Sequence, residues 1–202
     1  MTATLYLASA SPRRQELIRY LGIDPIVIVS NYNEASLAHI KDPLVYVEAA
    51  AYGKAAAVAN LHPGIVIGVD TDVVCPDGQI LGKPDSVDDA VRMLKHLSGR
   101  THTVHSAIVL VDSTVDPYRA LSEVTTTKVT FADISDDQLY AYVATGSPFD
   151  KAGGYGMQDQ AMAFVASIDG DPSNVIGLPL VSLRRLLSLW GITMFAESES
   201  TE

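Results

Sequence analysis

Residues 65–69 read IVIGV, a β-branched run typical of a buried strand, and the next residue is Asp70. A fold built on this strand therefore ends it in a carboxylate. In open α/β sheets, ligands gather at the carboxyl ends of strands. Strand and helix patterns alternate on either side of it. Thr4 to Ala8 and Ile26 to Val29 read as short strands. Ser11 as N-cap, Pro12 in the first turn, the stripe Leu17, Ile18 and Leu21, and a stop at Gly22 define a helix between them. Asp42 and Pro43 open an Ala-rich helix to about Asn60, and CPDGQ at 75–79 carries hairpin-turn chemistry. Ser86 with Asp89 caps a helix that Gly99 closes; Ser135 with Gln138 forms a capping box for another, to Thr145. Residues 102–111 and 121–131 read as two long strands, AFVASI as a further strand, and Pro179 to Trp190 as the last helix. This mixture of βα units and long hairpin strands predicts an α/β fold with a mixed sheet.

Composition narrows the function. The chain has 202 residues, is 48% hydrophobic and carries a formal net charge of −10. So acidic a chain argues against nucleic acid as a partner, because that surface is normally basic, but local Lys and Arg can still hold a small anion. The single cysteine, Cys75, excludes an intramolecular disulfide and argues against a cysteine-based zinc site. No apolar stretch reaches the ~18 residues of a membrane span, and the first residues lack a basic region before their short apolar run. A cytoplasmic protein is the simplest expectation, with residues 1–195 as one domain and the acidic residues 196–202 as a frayed tail.

Several residues could carry chemistry. LASASPRRQE, residues 7–16, puts Arg13 and Arg14 in the first turn of a helix that follows a strand and a small-residue loop. Such a terminus offers free N–H groups and partial positive charge to an anion. Basic side chains there oppose the helix dipole, which an anionic ligand would offset; solvated or surface-paired arginines are the alternative. Asp70 could bind a metal or take a proton from water, or be a turn-forming Asp. Lys83 lies in LGKP, which is no phosphate loop: the glycine spacing is one residue short and Pro84 replaces the Ser or Thr. Lys54 on its alanine helix, Glu34 in NYNEAS and Gln158 in KAGGYGMQ are unremarkable singly. His102 and His105 fall on opposite faces of a strand, so the histidines suggest no metal site.

In order along the chain, these blocks resemble the Maf family. The match runs through LASASPRRQEL, Glu34, YGKA around Lys54, GVDT at 68–71, LGKP at 81–84, GRTHTV at 99–104, FDKAGGYGMQ at 149–158 and DGDPSNVIGLPL at 169–180. The resemblance implies a nucleoside triphosphate pyrophosphatase, related in structure to the inosine triphosphate pyrophosphatases. It implies two lobes around a central cleft, a divalent cation (Mg²⁺ or Mn²⁺) and, in many members, a homodimer. Asp70 then falls on the catalytic proton acceptor and Glu34 on its catalytic acidic partner, a metal ligand or a second base; both fall on the metal ligands. Ser9, Arg13, Arg14, Lys54 and Lys83 fall on substrate-binding positions. Thr71 and Gln158 match the positions that separate the dTTP/UTP branch from the 7-methyl-GTP branch, and resemble the former. A nucleotide sensor linked to septum formation, with little turnover, and a purine-directed pyrophosphatase are the alternatives. Two departures stand out. The hairpin after Asp70 is one residue longer than the family pattern, with Asp72 where an apolar residue is usual. Asp72 could sit beside Asp70, but pointing to solvent is the plainer expectation. Asn33 replaces an Asp that often precedes the Glu, which would weaken a metal site that used it.

Overall fold

The computed structural model describes residues 4–195; the acidic tail lies outside them. One seven-stranded sheet organises the chain. Its strands are β1 (Leu5–Ala8), β2 (Ile26–Val27), β3 (Ile65–Val74), β4 (Ile80–Leu81), β5 (Thr101–Asp112), β6 (Arg119–Phe131) and β7 (Val165–Asp169). The order is β2-β1-β3-β5-β6-β7, with β4 beside β3. The β2, β1 and β3 pairings are parallel and the rest antiparallel, so the sheet is mixed as expected. Its helices are α1 (Pro12–Arg19), α2 (Pro43–Ala59), α3 (Val87–Leu97), α4 (Asp136–Val143), α5 (Pro172–Ile176) and α6 (Leu180–Leu189).

The pleat of β3 divides the core. Val66 packs against Ala51, Ala55 and Val58 of α2 on one face, and Ile67 and Val69 pack against α1 and α6 on the other. Farther along, Val73, Val104, Val129 and Phe131 meet α3 and α4 in a third cluster, which forms the second lobe. Between the two clusters that share a face runs a buried polar belt. Thr71 Oγ1 lies 2.8 Å from Ser106 Oγ, Ser106 Oγ donates to the Asn174 carbonyl at 3.2 Å, and Asn174 Nδ2 donates to Thr127 Oγ1 at 2.9 Å. Paired polar groups fix relative positions more strictly than apolar packing does, so this belt sets how α5 sits on the sheet.

The edge of β3 opposite β5 is incompletely covered. β1 pairs with residues 65–68 and β4 with 73–74, whereas β5 pairs with all ten from 65 to 74. Residues 69–72 therefore face an opening rather than a strand. The helix above is held unusually close: a Cβ on Gly68 would lie 2.1 Å from the Ala51 carbonyl oxygen. Gly68→Ala is expected to cost about 3 kcal/mol or more by overpacking, read from the urea midpoint; an unchanged midpoint would show that α2 can lift freely.

His102 is buried in the second lobe, with its Nε2 2.7 Å from the Tyr155 hydroxyl and its ring edge-on to Phe131. Burial pushes its imidazole down to about 4 from 6.5. The unfolded chain binds that proton first as pH falls. The stability contributed by neutral His102 is thus complete above about pH 6.5 and lost towards pH 4, about 3 kcal/mol in all. The stability advantage over His102→Gln should narrow by more than about 1 kcal/mol between pH 6.5 and 4.5. A constant difference would exclude this role.

Candidate active site

A cleft of about 880 Å³ opens at the bare stretch of β3. All nine residues singled out from the sequence line it: Ser9, Arg13, Arg14, Glu34, Lys54, Asp70, Thr71, Lys83 and Gln158. The loop after β1 and the start of α1 form one wall. Ser11 occupies the N-cap position, but its side chain makes no capping hydrogen bond and the first turn holds no acidic residue. The helix terminus therefore keeps its N–H groups available to an anion.

The two arginines do different things. Arg14 Nε donates to the Gly177 carbonyl at 2.9 Å, Nη1 to the Val69 carbonyl at 3.0 Å and to Ser9 Oγ at 3.2 Å, and Nη2 to Thr71 Oγ1 at 3.0 Å. Its guanidinium thus ties β1, β3 and the loop after α5 together, and it takes up the Val69 carbonyl at the bare edge. Arg13 instead pairs with Asp150, Nη1 to Oδ2 at 2.5 Å, at the cleft surface.

Opposite them, Lys54 reaches down from α2. Its Nζ lies 2.5 Å from Asp70 Oδ1 and 2.9 Å from Glu34 Oε1. Tyr32 anchors the Glu34 loop on α2 where Gly53 leaves room: a Cβ there would fall 2.3 Å from the Tyr32 ring. Asn33 accepts from the Ala35 N–H at 3.1 Å and so caps the single helical turn that begins at Glu34. Burial raises the Asp70 carboxyl above the ordinary carboxylate range; Lys54 and Arg14 oppose that and Glu34 adds to it. An acid held this way is a stronger proton acceptor than an exposed one. Asp70 and Glu34 offer only carboxylate oxygens, the donors that hard divalent cations take, and an ammonium already bridges them. These residues fit Mg²⁺ or Mn²⁺.

Asp72 is the residue the sequence reading misplaced. It does not point to solvent: it is 4% exposed, lines the cleft, and neither carboxylate oxygen has a hydrogen-bond partner. Because β3 continues through Val74, residues 70 and 72 share the α2 face. Burial, then the neighbouring Asp70, push its carboxyl up to about 7, against a backbone contribution from His105.

Lys83 is exposed on the rim, and among the described residues no carboxylate lies within 4.0 Å of its ammonium. Gln158 is exposed at the mouth. The sequence reading missed Asp150 and Lys151 as cleft residues, although both lie within FDKAGGYGMQ. Lys151 Nζ donates to the Ser147 carbonyl at 2.6 Å and pairs with Asp150 Oδ1 at 2.6 Å. It also missed a group outside the cleft: ligand atoms of Cys75, Asp77 and His96 lie within 4.8 Å of one another where the β3–β4 turn meets α3. Burial, then Asp77, push the Cys75 thiol up to about 11.

Fold and site together define a class: mixed α/β proteins whose sheet edge opens onto a cleft lined by a buried acid, several cations and a helix N-terminus. Residues 4–190 match the family model described as Maf-like protein. The chain is 47% identical to a dTTP/UTP pyrophosphatase of Moorella thermoacetica, over 95% of this chain and 97% of that one. It is 46% identical to a dTTP/UTP pyrophosphatase of Symbiobacterium thermophilum, over 95% and 96%. The chain belongs to the Maf-like protein family. In fold it is similar to a HAM1 protein from Coxiella burnetii, with TM-score 0.52 and 14% identity, over 94% of this chain and 99% of that one.

The hydrogen bonding separates the arginines experimentally. Arg14→Ala should lose about 2–4 kcal/mol, since it strands the buried acceptors it holds. Arg13→Ala, which breaks a surface pair, should stay within about 1 kcal/mol. Urea unfolding of both variants checks this, and the reverse ranking would refute the assignment.

Proposed function

We propose that this protein hydrolyses nucleoside triphosphates, dTTP and UTP foremost, to the monophosphate and pyrophosphate with a divalent cation. The observation that carries the reading is the meeting, in one cleft, of a buried acid of raised proton affinity with Arg13, Lys54, Lys83 and the open N-terminus of α1. The substrate follows the relatives named dTTP/UTP pyrophosphatase. Thr71 and Gln158 both line the cleft, and the family resemblance of these two positions supports the pyrimidine reading.

Phosphoryl chemistry asks the protein mainly to position groups and balance charge. Arg13 offers a planar fork to non-bridging oxygens, and Lys83 a mobile point charge for the departing pyrophosphate. The α1 N–H groups add neutral donors. Asp70 orients the attacking water and takes its proton as the bond to the α-phosphorus forms. Lys54 holds Asp70 and Glu34 in place, and its charge opposes the rise that burial gives the Asp70 carboxyl. Asp70 and Glu34 would hold a Mg²⁺ or Mn²⁺ ion, which would supply charge neutralisation on the phosphates. Arg14 and Ser9 shape the wall that the triphosphate lies against.

The test is pyrophosphate release from a panel of dTTP, UTP, 7-methyl-GTP and ITP with MgCl₂ or MnCl₂. dTTP and UTP should lead, and Asp70→Asn should lower kcat by about 10²–10⁴-fold. No release from any nucleotide, or full activity in Asp70→Asn, would overturn the reading; tight binding without release would favour a nucleotide sensor.

A further inference from the structure

Asp72 stands out among the buried polar residues. It is a carboxylate with both oxygens unpartnered, and it costs several kcal/mol to bury such a group as an anion. Buried carboxylates elsewhere in this chain are provided for: Asp70 has Lys54, and Asp112 accepts from the Thr114 hydroxyl and N–H. The space around Asp72 is not apolar packing either. It lies on the cleft wall two residues along β3 from Asp70 and on the same face. Glu34, Asp70 and Asp72 all line this cleft, together with the Tyr46 side chain. His105, opposite Asp72 on β5, does not neutralise it: its Nδ1 lies 2.8 Å from Thr126 Oγ1 and its Nε2 3.3 Å from Thr103 Oγ1.

We propose that Asp72 is a direct ligand of the divalent cation, holding it with Asp70 as an Asp-x-Asp pair on one face of β3. Two carboxylates with water and phosphate oxygens suffice for a hard octahedral cation, which rarely takes an all-protein cage. The alternation of the strand puts both carboxylates on the same face, both line the cleft, and the edge of β3 beside them has no pairing strand along residues 69–72. Glu34, on a loop, can then approach the ion or stay with Lys54. The unpartnered oxygens suit a cation: neither has a hydrogen-bond partner among the described residues, and the His105 backbone only partly offsets the burial.

The inference rests on the proposed nucleotide chemistry for the identity of the cation, but its test does not need turnover. Metal-free protein is titrated with MnCl₂ alone, and free Mn²⁺ is read by its electron paramagnetic resonance signal. Asp72→Asn and Asp72→Val should each weaken Mn²⁺ binding about tenfold or more, since losing even a group that only supports a metal ligand costs about 10–100-fold. Both should melt no lower than the unsubstituted protein when metal is absent, because each removes an unpaired buried charge. If either fails to fold, the other still reads the affinity. His96→Ala is the control for the Cys75, Asp77 and His96 group and should leave Mn²⁺ affinity unchanged. Affinity within twofold of the unsubstituted protein in either Asp72 variant overturns the proposal. So does an affinity lost in His96→Ala but kept in Asp72→Asn, and so does an unsubstituted protein that binds no Mn²⁺. Pyrophosphate release measured on the same preparations keeps the two readings apart. Hydrolysis with Asp72-independent Mn²⁺ binding leaves the function standing and removes this ligand; Asp72-dependent binding without hydrolysis supports the ligand and removes the function.

Discussion

Arg14 stands in for a missing strand. Between the last residue paired with β1 and the first paired with β4, β3 has no neighbour on its outer edge. Backbone carbonyls there need partners as much as anywhere else. The Arg14 guanidinium bonds the Val69 carbonyl, and the same planar fork reaches Ser9, Thr71 and Gly177. Five donors in fixed geometry can close several edges at once, which an ammonium cannot do. The gap therefore stays open without unravelling. Thr71, held from one side by Arg14 and from the other by Ser106, passes that order to the polar belt and hence to α5. The cleft is as rigid as this one side chain makes it.

The other wall depends on how closely α2 lies on β3. Gly68 and the run of alanines in α2 remove the side chains that would hold helix and sheet apart. That approach puts Lys54 at hydrogen-bond distance from a carboxylate only 10% exposed. Coulomb attraction in such surroundings is strong, yet burial still dominates the balance on Asp70 and leaves its proton affinity raised. The arrangement is a compromise between two demands. Without the lysine the proton affinity of Asp70 would rise further; in full solvent it would fall back to that of an ordinary carboxylate. Packing α2 onto the sheet is what sets the balance, so a property that reads as catalytic is fixed by residues that touch no ligand.

Much of this was legible locally. The caps at Ser86 and Ser135, the turn at CPDGQ and the glycine stops are short-range chemistry, and the structure keeps them. The family blocks brought nine cleft residues together before any coordinates did. What failed was parity. The strand IVIGV looked finished at Val69 because DTD is polar, yet β5 pairs with it through Val74. Once the strand continues, alternation forces residues 70 and 72 onto one face and buries Asp72. Burial of an aspartate in mid-strand is set by the partner strand, not by the residue, and nothing in the local sequence states where pairing stops. The same limit hid Asp150 opposite Arg13, and Cys75 and Asp77 beside His96. Those pairs meet across the fold, and no periodicity encodes them.

Charge explains how so acidic a protein can hold a polyanion. Five cationic and four acidic side chains line the cleft, so it is nearly neutral. A nucleoside triphosphate brings about four negative charges near neutral pH. Lys54 is already shared between Glu34 and Asp70, and Arg13 is engaged by Asp150. Lys83 and the N-terminus of α1 cannot balance the remainder alone. On the proposed reading, a divalent cation bound with the nucleotide would close most of that deficit and would give the unpaired oxygens of Asp72 a partner. On this view the acidic residues of the cleft are not an obstacle to binding phosphate. On that reading they favour a nucleotide bound together with a metal ion over the bare anion.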